Sequence, residues 1–244
     1  MLRLICLVLF IIFAGIVATP FLIVEYFIGK KDPEKRARHT YAFATKGLVL
    51  MQKVVGIRLT VIGRENIPTD EAVMYVSNHR SFFDAVSLLP LTYPVTAFIA
   101  KSEMTNIPYL STLMKNIGCK FLDRDNLREG MKTILETIEM VKDGRSVIIF
   151  PEGTRTDGDS LLEFKQGSFK IAERSGCPVV PVAISNTDNV FETHKPWIKS
   201  QKVVIEFGQP VFLKDLPLET RKTSGEYFQK IVAGMLAKNH DLAE

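Results

Sequence analysis

Cysteine is scarce in this chain: Cys6, Cys119 and Cys177 are the only three among 244 residues. An odd number at wide spacings shows no disulfide framework and no zinc knuckle, and a reducing cytosolic compartment is the simpler reading. Charge of one sign is scarce as well. The net charge is +4, with no long Lys/Arg run, so a nucleic-acid arm is excluded and no nucleic-acid partner is expected. A mildly basic surface suits an anionic membrane, a phosphorylated substrate or simple solvation. Several short signatures are missing. Without a G-x-S-x-G elbow, a serine acyl-enzyme of the hydrolase type lacks its sequence mark. Without H-E-x-x-H or a Cys/His cluster no metal site is expected, and without a P-loop or G-x-G-x-x-G no nucleotide cradle. Acid–base chemistry with positioned cations is what remains.

What is present begins with a long apolar run. Leu4 to Val24 carries no charged side chain over 21 residues, long enough for a helix to cross about 30 Å of hydrocarbon. Pro20 is expected to kink or break it near its end. Arg3 precedes the run, and Lys30, Lys31, Lys35, Arg36 and Arg38 follow it. That excess of cations on the C-terminal side predicts a membrane protein with its catalytic domain on the cytoplasmic face. A cleaved signal peptide is the rival, but its apolar region is usually shorter and no small-residue cleavage site stands out. A helix that enters one leaflet and returns is the third option. From Pro33 to Val55 a second, amphipathic helix is predicted, with Leu48, Met51 and Val55 on one face. Lys46 and Lys53 can reach headgroups, or the helix can simply pack on the domain.

Beyond Gly56 strands and helices alternate. Residues 57–63, 72–77, 96–101, 120–124, 146–150, 179–184 and 202–208 read as strands by β-branched content and length. Between them, Leu127 to Asp143 reads as a helix with Met131, Ile134, Leu135, Ile138 and Val141 on one face, ending at Gly144. Further helices are predicted over Gly167 to Ser175 and about Ser224 to Asn239. The fold class is therefore α/β. Residues 1–56 form the membrane-associated helices and 57–244 a single catalytic domain.

Four segments carry candidate chemistry. In Asn78-His79-Arg80-Ser81-Phe82-Phe83-Asp84, His79 stands just past a buried strand and Asp84 in the first turn of the next helix. A carboxylate five residues on can fold back onto one ring nitrogen, fixing the tautomer and leaving the other as a base. The same residues also spell a capping box, Ser81-x-x-Asp84, which starts a helix without any chemistry. Gly118-Cys119-Lys120-Phe121-Leu122-Asp123-Arg124 and Phe150-Pro151-Glu152-Gly153-Thr154-Arg155 each put an arginine just after a strand. Its planar fork matches phosphate oxygens, though surface ion pairs at loop entries would look the same. Gly153 allows a ligand close to the backbone. The fourth segment runs through Leu162 to Ala172 into Val179-Val180-Pro181-Val182-Ala183-Ile184, with Lys165 and Lys170 read as solvated cations.

Taken in order, these segments resemble the lysophosphatidic acid acyltransferase family, the glycerolipid acyltransferases with an NH-x4-D motif. NHRSFFD, GCKFLDR, FPEGTRT and VVPVAI look like its four motifs, and the likeness covers roughly residues 57 to 210. Lys101-Ser102-Glu103-Met104 with Ile107-Pro108 is similar to the family's segment between motifs one and two. The resemblance implies a mixed sheet flanked by helices, with an N-terminal two-helix membrane motif. It implies acyl transfer from acyl-CoA or acyl carrier protein, as thioester co-substrate without a resident cofactor, to 1-acyl-glycerol 3-phosphate. By the same resemblance His79 and Asp84 form the catalytic dyad, and Lys101, Arg124 and Arg155 hold the phosphate. Glu152 organises the acceptor site, with Gly153 and Thr154 among the substrate-binding residues. Membrane lipids are the implied surroundings. Arg80 departs from a common bacterial form of motif one, where Gln is frequent, and relatives that acylate other lysophospholipids can carry Arg there. An acyltransferase for another lysophospholipid or a lyso-aminolipid, a thioesterase, and a membrane lipid-binding protein without turnover are the alternatives.

Overall fold

The computed structural model describes residues 1–93, 95–123, 126–156 and 160–243. Two long helices come first, α1 (Leu2–Lys31) and α2 (Pro33–Val55), joined through Asp32. The Asp32 side chain accepts the Lys35 N–H at 2.8 Å, and Pro33 follows at the first helical position, where its missing N–H costs nothing. Pro20 does not break α1, which runs on to Lys31. Proline withholds one ladder donor, and a long apolar helix with neighbours on either side of that gap tolerates the loss. Arg3 of α1 donates to the Val55 carbonyl at 3.1 Å, so the two helices close back on each other as an antiparallel pair. The face of α2 bearing Leu48, Met51 and Val55 packs on the domain core, while Lys46 and Lys53 are exposed.

The rest is an α/β domain. Its strands are β1 (Ile57–Ile62), β2 (Met74–Ser77), β3 (Thr96–Lys101), β4 (Lys120–Leu122), β5 (Ser146–Ile149), β6 (Val179–Ser185) and β7 (Gln201–Phe207). Among the described residues the helices that accompany them are α3 (Phe82–Leu88), α4 (Leu110–Ile117), α5 (Leu127–Lys142), α6 (Lys170–Ser175), α7 (Leu218–Lys222) and α8 (Ser224–Ala243). The sheet order is β1-β7-β6-β2-β5-β3-β4, mixed because β6 and β7 pair antiparallel while the other pairs are parallel. Met74-Tyr75-Val76-Ser77 is buried at every position, the pattern of a strand covered on both faces rather than one half in water. Burying each such aliphatic side chain stabilises the fold by about 1.5–3 kcal/mol.

The order places the site. β2 lies between β5 and β6 and parallel to both. Strands β2 and β5, which lead into the first and third motifs, and β6, which carries the fourth, are therefore adjacent and end at one edge of the sheet, the carboxyl edge where open α/β sheets bind ligands.

Helix α5 begins with its Asn126 cap and stops before Gly144, which holds φ +91°, the left-handed conformation expected there. Its buried residues are Thr137, Ile138, Met140 and Val141, with Ile134 half-buried beside them; Met131 and Leu135 are exposed.

Candidate active site

Strand β2 ends at Ser77, and Asn78 continues its pairing with a side chain. Asn78 Nδ2–H donates to the Ile184 carbonyl and Asn78 Oδ1 accepts the Ile184 N–H, both at 2.9 Å. This buried amide clamps the end of β2 to β6 and fixes where the next residue leaves the sheet. His79 is then held through its backbone from the loop after β5. Its N–H donates to Glu152 Oε1 at 2.7 Å, and its carbonyl accepts the Thr156 N–H at 2.9 Å. The imidazole stacks on Phe150, with ring centroids 4.1 Å apart and planes 15° from parallel.

The ring is oriented by Asp84. His79 Nδ1 lies 2.8 Å from Asp84 Oδ2, and the same oxygen accepts the N–H groups of Arg80 at 2.7 Å and Ser81 at 2.8 Å. The other oxygen, Oδ1, accepts the hydroxyl of Thr187. Asp84 is fully buried and acts toward all four groups as an acceptor, the role of a carboxylate. That network assigns the proton of His79 to Nδ1 and leaves Nε2 as the basic nitrogen, on a side chain 21% exposed. The capping box is present too, with Ser81 Oγ accepting the Phe83 N–H at 3.0 Å and Asp84 accepting the Ser81 N–H. The two sequence readings of Asp84 are thus one arrangement. The cap holds the carboxylate where the imidazole meets it.

Glu152 is a second buried carboxylate beside His79. Besides the His79 N–H it accepts the Leu162 N–H at 3.0 Å and the Thr156 hydroxyl. Its oxygens are engaged by the protein, so it ties the β5 loop to the start of the first motif. Gly153, next to it, has φ +78°, and a Cβ there would stand 2.9 Å from Lys165 Nζ. Lys165, read from the sequence as a solvated cation, lies across this turn. Thr154 is exposed.

The cations are built differently. Arg155 is 54% exposed and pairs with Glu192 at 3.5 Å. Lys101, at the end of β3, is 56% exposed and pairs with Glu103. The Lys101 hydrogen bond holds the Glu103 carboxyl below its ordinary range. Arg124 lies outside the described residues. Cys119 and Cys177 are buried, and burial pushes the Cys119 thiol up to about 12 and raises that of Cys177. Neither supplies a thiolate nucleophile near neutral pH.

A cavity of about 820 Å³ opens between α8 and the loop after β6. Arg80 lines it, whereas His79 and Asp84 do not. Among the described residues no group of three or more His, Cys, Asp or Glu side chains is placed to hold a metal ion.

Three contributors escaped the sequence reading. Phe150 was visible as part of its motif but not as a platform for the ring. Thr187 and Glu192 reach the site from a segment beyond the fourth motif, across 103 and 111 residues of chain, and carry no local pattern.

Known proteins resemble this chain in sequence and in fold. The acyltransferase family model matches residues 58–185. The probable 1-acyl-sn-glycerol-3-phosphate acyltransferase of Mycoplasma pneumoniae is 30% identical over 191 residues, 73% of this chain and 70% of that protein. The chloroplast 1-acyl-sn-glycerol-3-phosphate acyltransferase of Arabidopsis thaliana is 35% identical over 192 residues, 76% of this chain and 53% of that protein. The crystal structure of the 1-acyl-sn-glycerophosphate acyltransferase of Thermotoga maritima superposes with a TM-score of 0.81 at 27% identity, covering 97% of this chain and 95% of that one.

Proposed function

This chain belongs to the acyltransferase family, and from that premise we propose that it acylates the free hydroxyl of 1-acyl-sn-glycerol 3-phosphate, making phosphatidic acid. The observation that carries the reading is the His79–Asp84 pair, 2.8 Å apart at the carboxyl edge of the central strand. The relatives named above, each a 1-acylglycerophosphate acyltransferase by name, support the acceptor.

In this mechanism His79 Nε2 takes the proton of the acceptor hydroxyl as that oxygen attacks the carbonyl of an acyl thioester. The new ester C–O bond forms, the C–S bond of the tetrahedral intermediate breaks, and the departing thiolate collects the proton from the imidazolium. Asp84 steadies that imidazolium and does not itself take the proton. The acceptor is the nucleophile, so no acyl-enzyme is needed, in keeping with the buried, protonated thiols. Arg155 and Lys101 hold the phosphomonoester and so place the hydroxyl, a contribution of positioning. The donor is an acyl thioester of coenzyme A or acyl carrier protein.

Helix α1 is long and apolar enough to cross a membrane, and Ile5, Leu9, Ile12, Phe13 and Ile16 along it are exposed. In this reading it anchors the enzyme, and the cations from Lys30 to Arg38 keep the catalytic domain on the cytoplasmic face.

The test uses the full chain in detergent with a labelled acyl thioester. Acceptors are lysophosphatidic acid, glycerol 3-phosphate, a lysophospholipid with a larger headgroup, and none. Phosphatidic acid formed with lysophosphatidic acid alone is the expected result. Transfer only to another lysophospholipid would move the acceptor, and free fatty acid without any acylated lipid would make the protein a thioesterase.

A further inference from the structure

Glu192 lies outside all four motifs, in a short 3-10 turn (Glu192–His194) between β6 and β7. Its carboxylate nevertheless touches two of them. Oε2 accepts the Ser81 hydroxyl at 2.8 Å, and Oε1 accepts the Phe82 N–H at 2.9 Å. Arg155 Nη1 reaches the same Oε1 at 3.5 Å. The side chain of Glu192 is only 10% exposed, whereas that of Arg155 is 54% exposed. One carboxylate, itself anchored at the start of α3, therefore gives a long and otherwise solvated arginine a fixed point.

The anchoring is one-sided. Ser81 and Phe82 belong to the turn that Asp84 already caps, so Glu192 is fixed by the same rigid corner that orients His79. The segment that carries it also supplies Thr187, whose hydroxyl donates to Asp84. A single loop after β6 thus contacts both the carboxylate behind His79, through Thr187, and the Arg155 guanidinium, through Glu192. An arginine left free must give up side-chain freedom each time it binds an anion. One held by a buried acid has surrendered part of that freedom beforehand, and its remaining N–H groups stay available.

We propose that Glu192 is a positioning residue for the acceptor: its carboxylate holds the Arg155 guanidinium in the orientation that receives the phosphomonoester. The inference rests on the reading of Arg155 as a phosphate contact and adds to it the residue that sets where that contact stands. Glu192 touches neither the transferred acyl group nor the proton, so its effect belongs to acceptor binding and not to the chemical step.

Glu192→Gln is the discriminating variant. Its amide oxygen still accepts the Phe82 N–H and its amide N–H can donate to Ser81 Oγ, while the charge that holds Arg155 is gone. Kinetics of the full chain in detergent are measured for the wild type, Glu192→Gln, Arg155→Ala and the double variant, with thermal melts as a check on folding. The expected result is a rise of about fivefold in KM for lysophosphatidic acid with kcat within about twofold, in keeping with a partly exposed charge pair. In the Arg155→Ala background the same substitution is expected to change KM by less than about twofold, since the side chain it positions is absent. An unchanged KM in Glu192→Gln, or an equal rise with and without Arg155, would overturn the inference. A loss confined to kcat would also overturn it, by placing Glu192 with the base. If the wild type acylates only acceptors without a phosphomonoester, the underlying reading fails and the inference falls with it, a result separable from an active wild type that ignores Glu192.

Discussion

The two sides of His79 are built on opposite plans. On the carboxylate side, Asp84 and Glu152 are buried, and each receives several donors from backbone and hydroxyl groups. On the cation side, Arg155 and Lys101 are more than half exposed, each beside one glutamate. A buried carboxylate with all its partners in place cannot shift without stranding several donors, which costs far more than one hydrogen bond gains. An exposed ion pair is weak and fixes a long side chain at one point only. The contrast teaches that His79, the proposed base, is set from several sides before substrate arrives, while the cations proposed to meet the phosphate are held at one point each and keep their remaining donors free for it.

The largest effect should come from removing the base itself. His79→Ala is expected to lower kcat by at least about a thousandfold, within the span of general-base contributions. Circular dichroism and the melting temperature should stay close to wild type, because the ring is a partly exposed tip on a backbone held by Glu152 and Thr156. Near-normal turnover in this variant would erase the distinction between the two sides.

Asp84→Asn should come next and should damage both activity and fold. The amide can accept on one atom only, so its NH2 faces either the N–H groups of Arg80 and Ser81 or, turned over, the Thr187 hydroxyl that donates to Asp84. A loss of stability of about 1–3 kcal/mol is expected from the stranded donors, alongside a fall of about a hundredfold or more in kcat. Denaturant titration and steady-state kinetics on the same preparation would show both. A loss of activity with full stability would mean that the cap and the dyad are separable.

Arg155→Ala should be milder and of a different kind. A rise of about tenfold or more in KM for the phosphate acceptor is expected, with kcat changed little, as removal of a binding interaction predicts. Melting should be unchanged, since the side chain is exposed.

The smallest effect concerns a buried group that takes no part in the reaction. Burial pushes the Cys119 thiol from an ordinary value of 9.0 up to about 12. The folded state therefore holds a proton that the unfolded chain releases above about pH 9, so this contribution is intact below pH 9 and is lost as pH rises toward 12. Cys119→Ala removes it. The melting-temperature gap between wild type and variant should narrow or reverse from pH 8 to pH 10.5, and a gap independent of pH would show that the thiol does not titrate with unfolding.

The sequence was most legible where function is local. His79, Ser81 and Asp84 lie within six residues, so the capping geometry and the His79–Asp84 hydrogen bond could both be read from spacing. Strand β3 runs over the expected 96–101 and α2 over the expected Pro33 to Val55, because composition and caps agree there. Gly144 and Gly176 both take left-handed conformations after their helices. Legibility failed where tertiary neighbours decide. Pro20 sits inside an unbroken α1, and no local rule says which gaps a long apolar helix accommodates. Met131 and Leu135 fit the periodicity of α5 yet stay exposed, since periodicity cannot tell how far a covering layer extends. Thr187 and Glu192 are ordinary loop residues in the chain. They acquire a role only when β6 lies beside β2 and carries the following loop over the start of α3.

The contrast between a base fixed on several sides and cations held at one point each is tested most directly by measuring kcat/KM on two acceptors in parallel. One is lysophosphatidic acid and the other the corresponding monoacylglycerol, which lacks the phosphate, with wild type, His79→Ala and Arg155→Ala each assayed on both. The account predicts that His79→Ala loses transfer to both acceptors, whereas Arg155→Ala loses it only for lysophosphatidic acid and brings the two acceptors closer together. Retained transfer in His79→Ala, or an equal loss on both acceptors in Arg155→Ala, would contradict it.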